Sequence, residues 1–137
     1  MQLTRFTDYS LRVLIHLGKD PGAQATVAGI AAEHAISRHH LTRVAHQLGL
    51  KGYIETVRGK GGGFRLARSP GSIRIGDVVR DMENGFELAE CFRPGESSCR
   101  LLPACALKSV LAEAGRAFLG SLDRYTLADL LPLPPEP

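Results

Sequence analysis

Three cysteines are the side chains of this sequence best suited to carry chemistry. Cys91, Cys99 and Cys105 lie within fifteen residues, and the 137-residue chain contains no other cysteine. An odd number at such close spacing favours metal ligation over a disulfide framework. The gaps of seven and five residues are too long for one helical face and too irregular for the paired cysteines of structural zinc sites. An iron–sulfur cluster and a zinc ion are equally compatible with this spacing, and free redox-sensing thiols are a third interpretation.

Three thiolates leave a coordination position for a further side chain. Carboxylates and imidazoles are common metal ligands in proteins. Asp8 is one candidate, although an acidic residue in the first turn of a helix also has a structural interpretation, because the helix dipole stabilises it. The other candidates are Glu90, Glu96 and the five histidines, His16, His34, His39, His40 and His46.

A second candidate surface is strongly basic. Residues 37–68 contain seven basic side chains and one acidic side chain, Glu55, which gives this segment a net charge of +6. Residues 77–96 contain six acids and two arginines, a net charge of −4, although the whole chain carries only +3. Charge that is separated in this way favours a phosphate-binding surface in the first segment over a uniformly solvated exterior.

Helical periodicity places the basic residues on a helix-turn-helix. Apolar spacing predicts helices over residues 4–18, 27–34 and 38–50, and Ser37 is placed to cap the third of them. The first helix is apolar on more than one side, so we expect burial on two sides, with a partner subunit covering the second. The second and third helices form a helix-turn-helix pattern. Its candidate DNA contacts lie at the start of the third helix: Ser37, Arg38, His39, His40 and Arg43.

A β-hairpin is predicted to follow the helix-turn-helix. Residues 53–57 and 64–67 alternate like strands, and a glycine-rich basic tip separates them. This pattern indicates a wing whose Arg58 and Lys60 contact phosphates or the minor groove. The glycines do not indicate a nucleotide site, because a dinucleotide-binding loop is followed by a helix and no Walker lysine–serine pair is present.

The remainder of the chain is predicted to be mainly helical. We expect helices at residues 75–83, 106–122 and 127–131, with a loop over residues 90–105 that carries the cysteines. The predicted fold is therefore mainly α with a small β-hairpin: a winged helix-turn-helix DNA-binding region at 1–72, and a ligand loop with a long C-terminal helix at 73–137, within one compact unit.

The sequence also disfavours several classes of protein. No nucleophile–base constellation or metal-binding histidine triad is evident, so we do not expect an enzyme. No apolar run approaches the roughly 20 residues that span a bilayer. The first residues lack the apolar core of a signal peptide, so we expect a soluble cytoplasmic protein without membrane association.

The order of several motifs resembles a known family. The motifs are residues 1–9, the wing at 57–63, the segment 73–80, the three cysteines and residues 125–130. Together they resemble the nitric-oxide-sensing repressors of the Rrf-type family of winged-helix iron–sulfur regulators, and the resemblance covers nearly the whole chain.

This resemblance implies a homodimer that binds double-stranded operator DNA and is released by nitric oxide. It implies that residues 106–122 form the dimerisation helix, and that Cys91, Cys99 and Cys105 hold a 2Fe–2S or 4Fe–4S cluster. Asp8 matches the carboxylate that can supply the fourth ligand from the other subunit. The seven-residue first gap departs from the five of many relatives and also occurs in iron-responsive members, so iron or cluster status is an alternative signal. A zinc-stabilised winged-helix protein is the alternative from a different functional class.

Overall fold

The helices and strands follow the order predicted from the sequence. The computed structural model describes residues 1–59, 61–95 and 97–133, so the candidate DNA contact Lys60 and the candidate ligand Glu96 lie outside the described residues. The predicted fold class, mainly α with a small β-hairpin, is confirmed. The elements are α1 (Arg5–Gly18), α2 (Val27–His34), α3 (Arg38–Leu50), β1 (Ile54–Val57), β2 (Gly63–Leu66), α4 (Ile75–Met82) and α5 (Ala106–Leu122), with 3-10 turns at Pro70–Ser72, Glu90–Phe92 and Leu127–Leu130.

Side-chain caps fix the beginnings of the two helices of the helix-turn-helix. The hydroxyl of Thr26 accepts a hydrogen bond from the backbone N–H of Gly29 at 3.0 Å at the start of α2. The hydroxyl of Ser37 accepts from the backbone N–H of His40 at 3.1 Å at the start of α3. Each cap satisfies a donor that the first turn of a helix leaves free. The predicted capping role of Ser37 is confirmed.

The wing requires a glycine where its second strand begins. In the antiparallel hairpin Ile54 lies opposite Leu66. On the outer side of β2, Ala25 exchanges two backbone hydrogen bonds with Phe64, at 2.8 and 2.9 Å. A Cβ atom at Gly63 would lie only 2.1 Å from the carbonyl oxygen of Ala25. Glycine is therefore needed here for the close approach of two backbones.

Helix α1 is buried on two sides within this chain. Val13, Leu14 and Leu17 are all at most 2% exposed. The helix packs against α3 and β2, and also against α4 and the Leu127–Leu130 turn. The second side was expected to face a partner subunit, but the chain's own C-terminal elements cover it. Leu127 is fully buried in the same core, so one core runs across the predicted division at residue 72.

The far end of α5 is fixed to α4 by an ion pair. Arg80 donates two hydrogen bonds to Asp123, at 2.6 and 2.8 Å. This pairing lowers the pKa of Asp123.

Among the described residues, none of the helices combines the length and the apolar character that a membrane span requires.

The base of the wing is tied to α4 through a buried tyrosine. Tyr53 is 2% exposed, and its hydroxyl donates a 2.5 Å hydrogen bond to Asp81 of α4. The guanidinium of Arg68 lies 4.3 Å from the centre of the Tyr53 ring. Burial raises the pKa of Tyr53 above its ordinary value of 10.0, and the hydrogen bond to Asp81 raises it further. Tyr53 thus joins the DNA-binding region to the C-terminal elements.

Replacing this tyrosine should expose its contribution to stability and to pH dependence. Tyr53→Phe removes the hydrogen bond to Asp81 and should lower the free energy of unfolding near neutral pH by about 1 kcal/mol. Because an unfolded tyrosine ionises near pH 10 and the folded Tyr53 ionises at higher pH, the hydroxyl's contribution is complete below pH about 10 and is lost as the pH rises above it. Denaturant unfolding at several pH values measures both effects. If the free energy of unfolding declined equally above pH 10 in the wild type and in Tyr53→Phe, the assigned role of the Tyr53 hydroxyl would be contradicted.

Candidate nucleic-acid interface and cysteine segment

The beginning of α3 presents free side chains to solvent. Arg38, His39 and Arg43 are exposed, and within residues 1–59, 61–95 and 97–133 none of their side chains has a hydrogen-bond or ion-pair partner. The Ser37 cap fixes the first turn from which these side chains project. Free guanidinium and imidazole donors at the start of a recognition helix have the chemistry to contact base edges in a major groove.

His40 is placed differently from its neighbours. It is half-buried, and its ring meets the ring of Tyr9 edge-on, with the centroids 4.8 Å apart. The ring of Phe6 lies 6.3 Å away on the same side. This packing fastens the start of α3 to α1, so His40 orients the recognition helix. A direct contact between His40 and DNA stays a prediction.

The tertiary structure divides the basic residues into free and engaged ones. Arg65 donates to Glu55 across the hairpin at 2.8 Å. Arg68 donates to two backbone carbonyls and lies over the Tyr53 ring. Arg58 is exposed and has no ion-pair partner among the described residues. The side chains available to phosphates are thus fewer than the net charge of residues 37–68 indicates.

The three cysteines occupy one segment between α4 and α5. Cys91 lies in the Glu90–Phe92 turn, Cys99 lies in the stretch that follows, and Cys105 occupies the N-cap position of α5. All three are half-buried thiols without a disulfide. The amino-terminal end of a helix favours negative charge, which suits a thiolate ligand at Cys105.

Polar contacts brace this segment at both ends. Arg93 donates to Glu87 at 2.7 Å. The ammonium of Lys108, in the first turn of α5, lies 5.7 Å from the centre of the Phe92 ring. This contact joins the residue after Cys91 to the helix that begins after Cys105.

The three thiols do not converge on a single point in the single chain. Of the described residues, one set of three potential ligands has all its ligand atoms within 4.8 Å of one another, and that set contains no cysteine. A zinc ion bound at about 2.3 Å would hold thiolates about 3.8 Å apart, so the thiols do not form a closed zinc site as they stand. The donor set, three thiols on one segment, has the chemistry to hold an iron–sulfur cluster, which takes thiolate ligands.

Asp8 is not assembled with the cysteines in the single chain. Its carboxylate accepts two hydrogen bonds from Arg12, at 3.1 and 2.9 Å, one turn along α1. Glu90 is exposed beside Cys91. Of the histidines, His39 and His46 are exposed on α3. A fourth ligand from Asp8 would thus require a second subunit, as the resemblance implies.

Glu83 is a residue that the sequence analysis missed. It follows α4, and its carboxylate accepts hydrogen bonds from the backbone N–H of Thr4 at 3.2 Å and from the hydroxyls of Thr4 and Thr7. Glu83 therefore holds the start of α1 immediately before Asp8. The partners are separated by 76 and 79 positions, so no local spacing could have indicated this contact.

One face of α5 is apolar and uncovered. No residue of this helix is buried. Leu107 is 57% exposed and Val110 is 60% exposed on the same side, where Phe118 stacks on Phe86 with the ring centroids 5.2 Å apart. Such a stripe on a long helix is typical of a surface that packs against another chain.

Comparison with known proteins gives a consistent identification. Residues 3–132 match the family described as "Rrf2: Iron-dependent Transcriptional regulator". The HTH-type transcriptional regulator NsrR of Bacillus subtilis strain 168 is 49% identical over 96% of this chain and 90% of its own length. The protein of the same name from Geobacillus kaustophilus is 51% identical over the same shares.

Solved structures share this architecture. The oxidised form of Staphylococcus aureus CymR superposes with a TM-score of 0.77 at 26% identity, covering 99% of this chain and 100% of that one. T. potens IscR superposes with a TM-score of 0.76 at 24% identity, covering 95% and 85%. At the latter identity the likeness establishes the fold alone.

The division of the arginines predicts different effects of two substitutions. Arg38→Ala should reduce the preference for a specific duplex over an unrelated one by about tenfold or more, because a lost bidentate base contact costs about 1–3 kcal/mol. Arg65→Ala is the matched control, since Glu55 already engages that side chain, and it should leave the preference unchanged. Fluorescence anisotropy titrations with both duplexes measure the difference.

The same titrations at several salt concentrations test the interface as a whole. The logarithm of affinity should fall by about 0.9 per phosphate neutralised for each unit in the logarithm of salt concentration. A flat salt response, or equal losses in Arg38→Ala and Arg65→Ala, would count against this surface as the DNA interface.

Proposed function

This chain belongs to the Rrf2 family of transcriptional regulators, and on that premise we propose that it is an iron–sulfur-dependent repressor acting in the cytoplasm. It binds a palindromic operator as a homodimer and is released when nitric oxide modifies the cluster. The observation that carries this proposal is the placement of three unbonded, half-buried thiols on one segment of a winged-helix protein. Its relatives are transcriptional regulators rather than enzymes, which confirms the expectation that this chain is not an enzyme.

The DNA-binding surface of the proposed dimer combines two recognition helices and two wings. In each subunit Arg38, His39 and Arg43 contact base edges from the start of α3, while Arg58 and Lys60 contact phosphates or the minor groove. Two such helices read half-sites about 34–36 Å apart, one turn of duplex DNA. Anything that changes the distance between the helices therefore lowers operator affinity.

The proposed cluster ligands are the three cysteines of one subunit and Asp8 of the partner subunit. When bound, the cluster would supply iron that reacts with nitric oxide. The Asp8 carboxylate accepts two hydrogen bonds from Arg12 in the single chain. Each oxygen keeps a second lone pair, so Arg12 can hold the carboxylate while Asp8 serves as a ligand.

Contacts on α1 support a connection between the ligand segment and the DNA surface. Glu83 holds Thr4 and Thr7 immediately before Asp8. One residue after Asp8, Tyr9 packs on His40 in the first turn of α3. A displacement of the start of α1 is thereby transmitted to the start of the recognition helix. This gives a physical route by which the state of Asp8 biases the spacing of the two half-site readers.

Iron supply is a second candidate signal for the same site. The matched family is described as iron-dependent, and the seven-residue gap between the first two cysteines is compatible with iron as the signal. In that case loss of the cluster through iron depletion would release the operator, and nitric oxide would be incidental.

Anaerobic purification followed by two parallel treatments separates these proposals. The protein should contain iron and acid-labile sulfide, and Cys99→Ser should lose both while remaining folded by circular dichroism. Nitric oxide should lower operator affinity by about tenfold or more, within the usual range of coupling between two sites. Iron chelation on the same time scale should have less effect.

Each contrary result has a definite meaning in this experiment. A release by chelation that exceeds the release by nitric oxide would favour iron as the signal. Nitric oxide that changes the absorption of the cluster without weakening operator binding would refute nitric oxide sensing. Zinc without sulfide in the anaerobic protein would refute the iron–sulfur proposal altogether.

A substitution on the exposed face of α5 tests the proposed dimer. Val110→Glu places a charge in the middle of the apolar stripe, where burial against a second chain would cost several kcal/mol. Light scattering should then give the monomer mass at concentrations where the wild type is dimeric. Ser109→Glu, an exposed position about 100° around the same helix and outside the apolar stripe, should remain dimeric. Two variants with the same mass as the wild type would exclude α5 as the dimer contact.

A further inference from the structure

We propose that His16, Glu33 and His34 form a zinc-binding site at the junction of α1 and α2, separate from the cysteine segment. Their ligand atoms all lie within 4.8 Å of one another, the one such set of three among the described residues. Two imidazoles and a carboxylate, with water in a fourth position, are a ligand set that zinc uses in proteins. The inference is independent of the proposed iron–sulfur cluster.

The distances between the ligand atoms fit a tetrahedral ion. The Nδ1 atom of His16 lies 3.3 Å from the Nε2 atom of His34 and 3.4 Å from the Oε2 atom of Glu33. Ligands that bind zinc at about 2.0–2.2 Å in tetrahedral geometry lie about 3.3–3.6 Å apart. These two separations fall in that range, and the third, between Glu33 and His34, is within 4.8 Å.

Hydrogen bonding alone satisfies this arrangement poorly. The Nδ1 atom of His16 is close to a nitrogen and a carboxylate oxygen at the same time. If Nδ1 carries a proton, that one proton must serve both neighbours. If Nδ1 is unprotonated, its lone pair can accept from His34 but then lies against the carboxylate oxygen. A cation at the centre of the three atoms accepts a lone pair from each of them, so the convergence favours metal ligation.

The three side chains are held by the ends of two rigid helices. His16 lies in the last turn of α1, and Glu33 and His34 are the last two residues of α2. Helix α2 stops there because Ala35 adopts a left-handed conformation at φ 53°. The backbone N–H groups of Ala35 and Ile36 both donate to Ala31, which fixes this ending. The ligand positions are therefore set by the packing of α1 and α2 and not by a mobile loop.

The site is partly open to solvent. The side chain of His16 is 21% exposed, whereas that of Glu33 is 56% exposed. An ion can therefore enter from the Glu33 side, and water can occupy the fourth coordination position. The inner histidine is shielded, which strengthens its interaction with a bound cation relative to a fully solvated site.

A zinc ion here would join α1 to the helix-turn-helix. Helix α1 carries Asp8 near its start and His16 near its end, and α2 is the first helix of the helix-turn-helix. Because the ion binds the folded arrangement, its binding free energy adds to the stability of the folded chain. It would hold α2 at a fixed angle to α1.

The experiment must separate this site from the thiols, which also bind zinc. We would titrate Zn²⁺ calorimetrically, and Co²⁺ by absorption, into the full-length protein after alkylation of its cysteines. One equivalent should bind, and Co²⁺ should show tetrahedral absorption without the charge-transfer band of a thiolate. His16→Gln and His34→Gln should each weaken binding by more than about 100-fold, beyond the 10–100-fold effect of outer-sphere partners. His46→Gln, an exposed histidine of α3, is the matched control and should bind as the wild type does.

A readout without substitutions covers the case in which a variant fails to fold. In the alkylated wild-type protein, Zn²⁺ should shift the imidazole NMR signals of His16 and His34 and leave those of His46 in place. Zinc should also slow hydrogen exchange in the last turn of α2. No binding to the alkylated protein, unchanged affinity in folded His16→Gln, or equal loss in His46→Gln would each overturn the proposal.

Discussion

The two-sided burial of α1 is the constraint on which the rest of this structure depends. Val13, Leu14 and Leu17 are almost inaccessible to water, and the helix packs against α3 on one side and α4 on another. Protein interiors are close-packed, so a buried helix of this kind cannot shift without moving its neighbours. Asp8 and His16 are the candidate metal ligands of α1. Their positions are therefore set by the core packing of the helix and not by the polar groups around them. The recognition helix packs directly against this element, and α4, which leads into the ligand segment, packs on its other side.

A few polar contacts supplement the core at the points where the two functional regions meet. Glu83 binds the start of α1, and the hydroxyl of Tyr53 binds Asp81 of α4. Each joins residues of the DNA-binding region to residues from the C-terminal part of the chain. Individually such hydrogen bonds contribute about 1 kcal/mol, small beside the core, but they determine which atoms move together. In a regulator, the coupled movement of these atoms matters more than the contribution of the hydrogen bonds to stability.

The basic segment shows why net charge is an incomplete guide to a binding surface. Arg38, Arg43 and Arg58 are exposed and have no ion-pair partners within the described ranges, whereas Arg65 binds Glu55 and Arg68 packs on Tyr53. Arginine is used both for phosphate recognition and for holding a fold together. Residue type and position in the sequence do not distinguish the two uses. The assignment depends on which acceptors the fold brings near each guanidinium.

The helices and strands of this protein are predictable from the amino-acid sequence, because their signals are local. Apolar spacing placed α1 to α5 within about one residue of their observed bounds, Ser37 indicated the start of α3, and the glycine-rich tip between alternating strands indicated the wing. The order of motifs, with the three cysteines among them, indicated the family that the comparisons then established. The folded chain alone shows which distant residues meet: Glu83 with Thr4 and Thr7, Tyr53 with Asp81, and His16 with Glu33 and His34. Contacts between residues separated by 17 to 79 positions leave no periodic or capping signal, because they arise when the burial of apolar faces brings whole elements together. The proposed role of Asp8 goes one step further, because in the single chain its carboxylate is bound to Arg12 and a second subunit would have to complete the site.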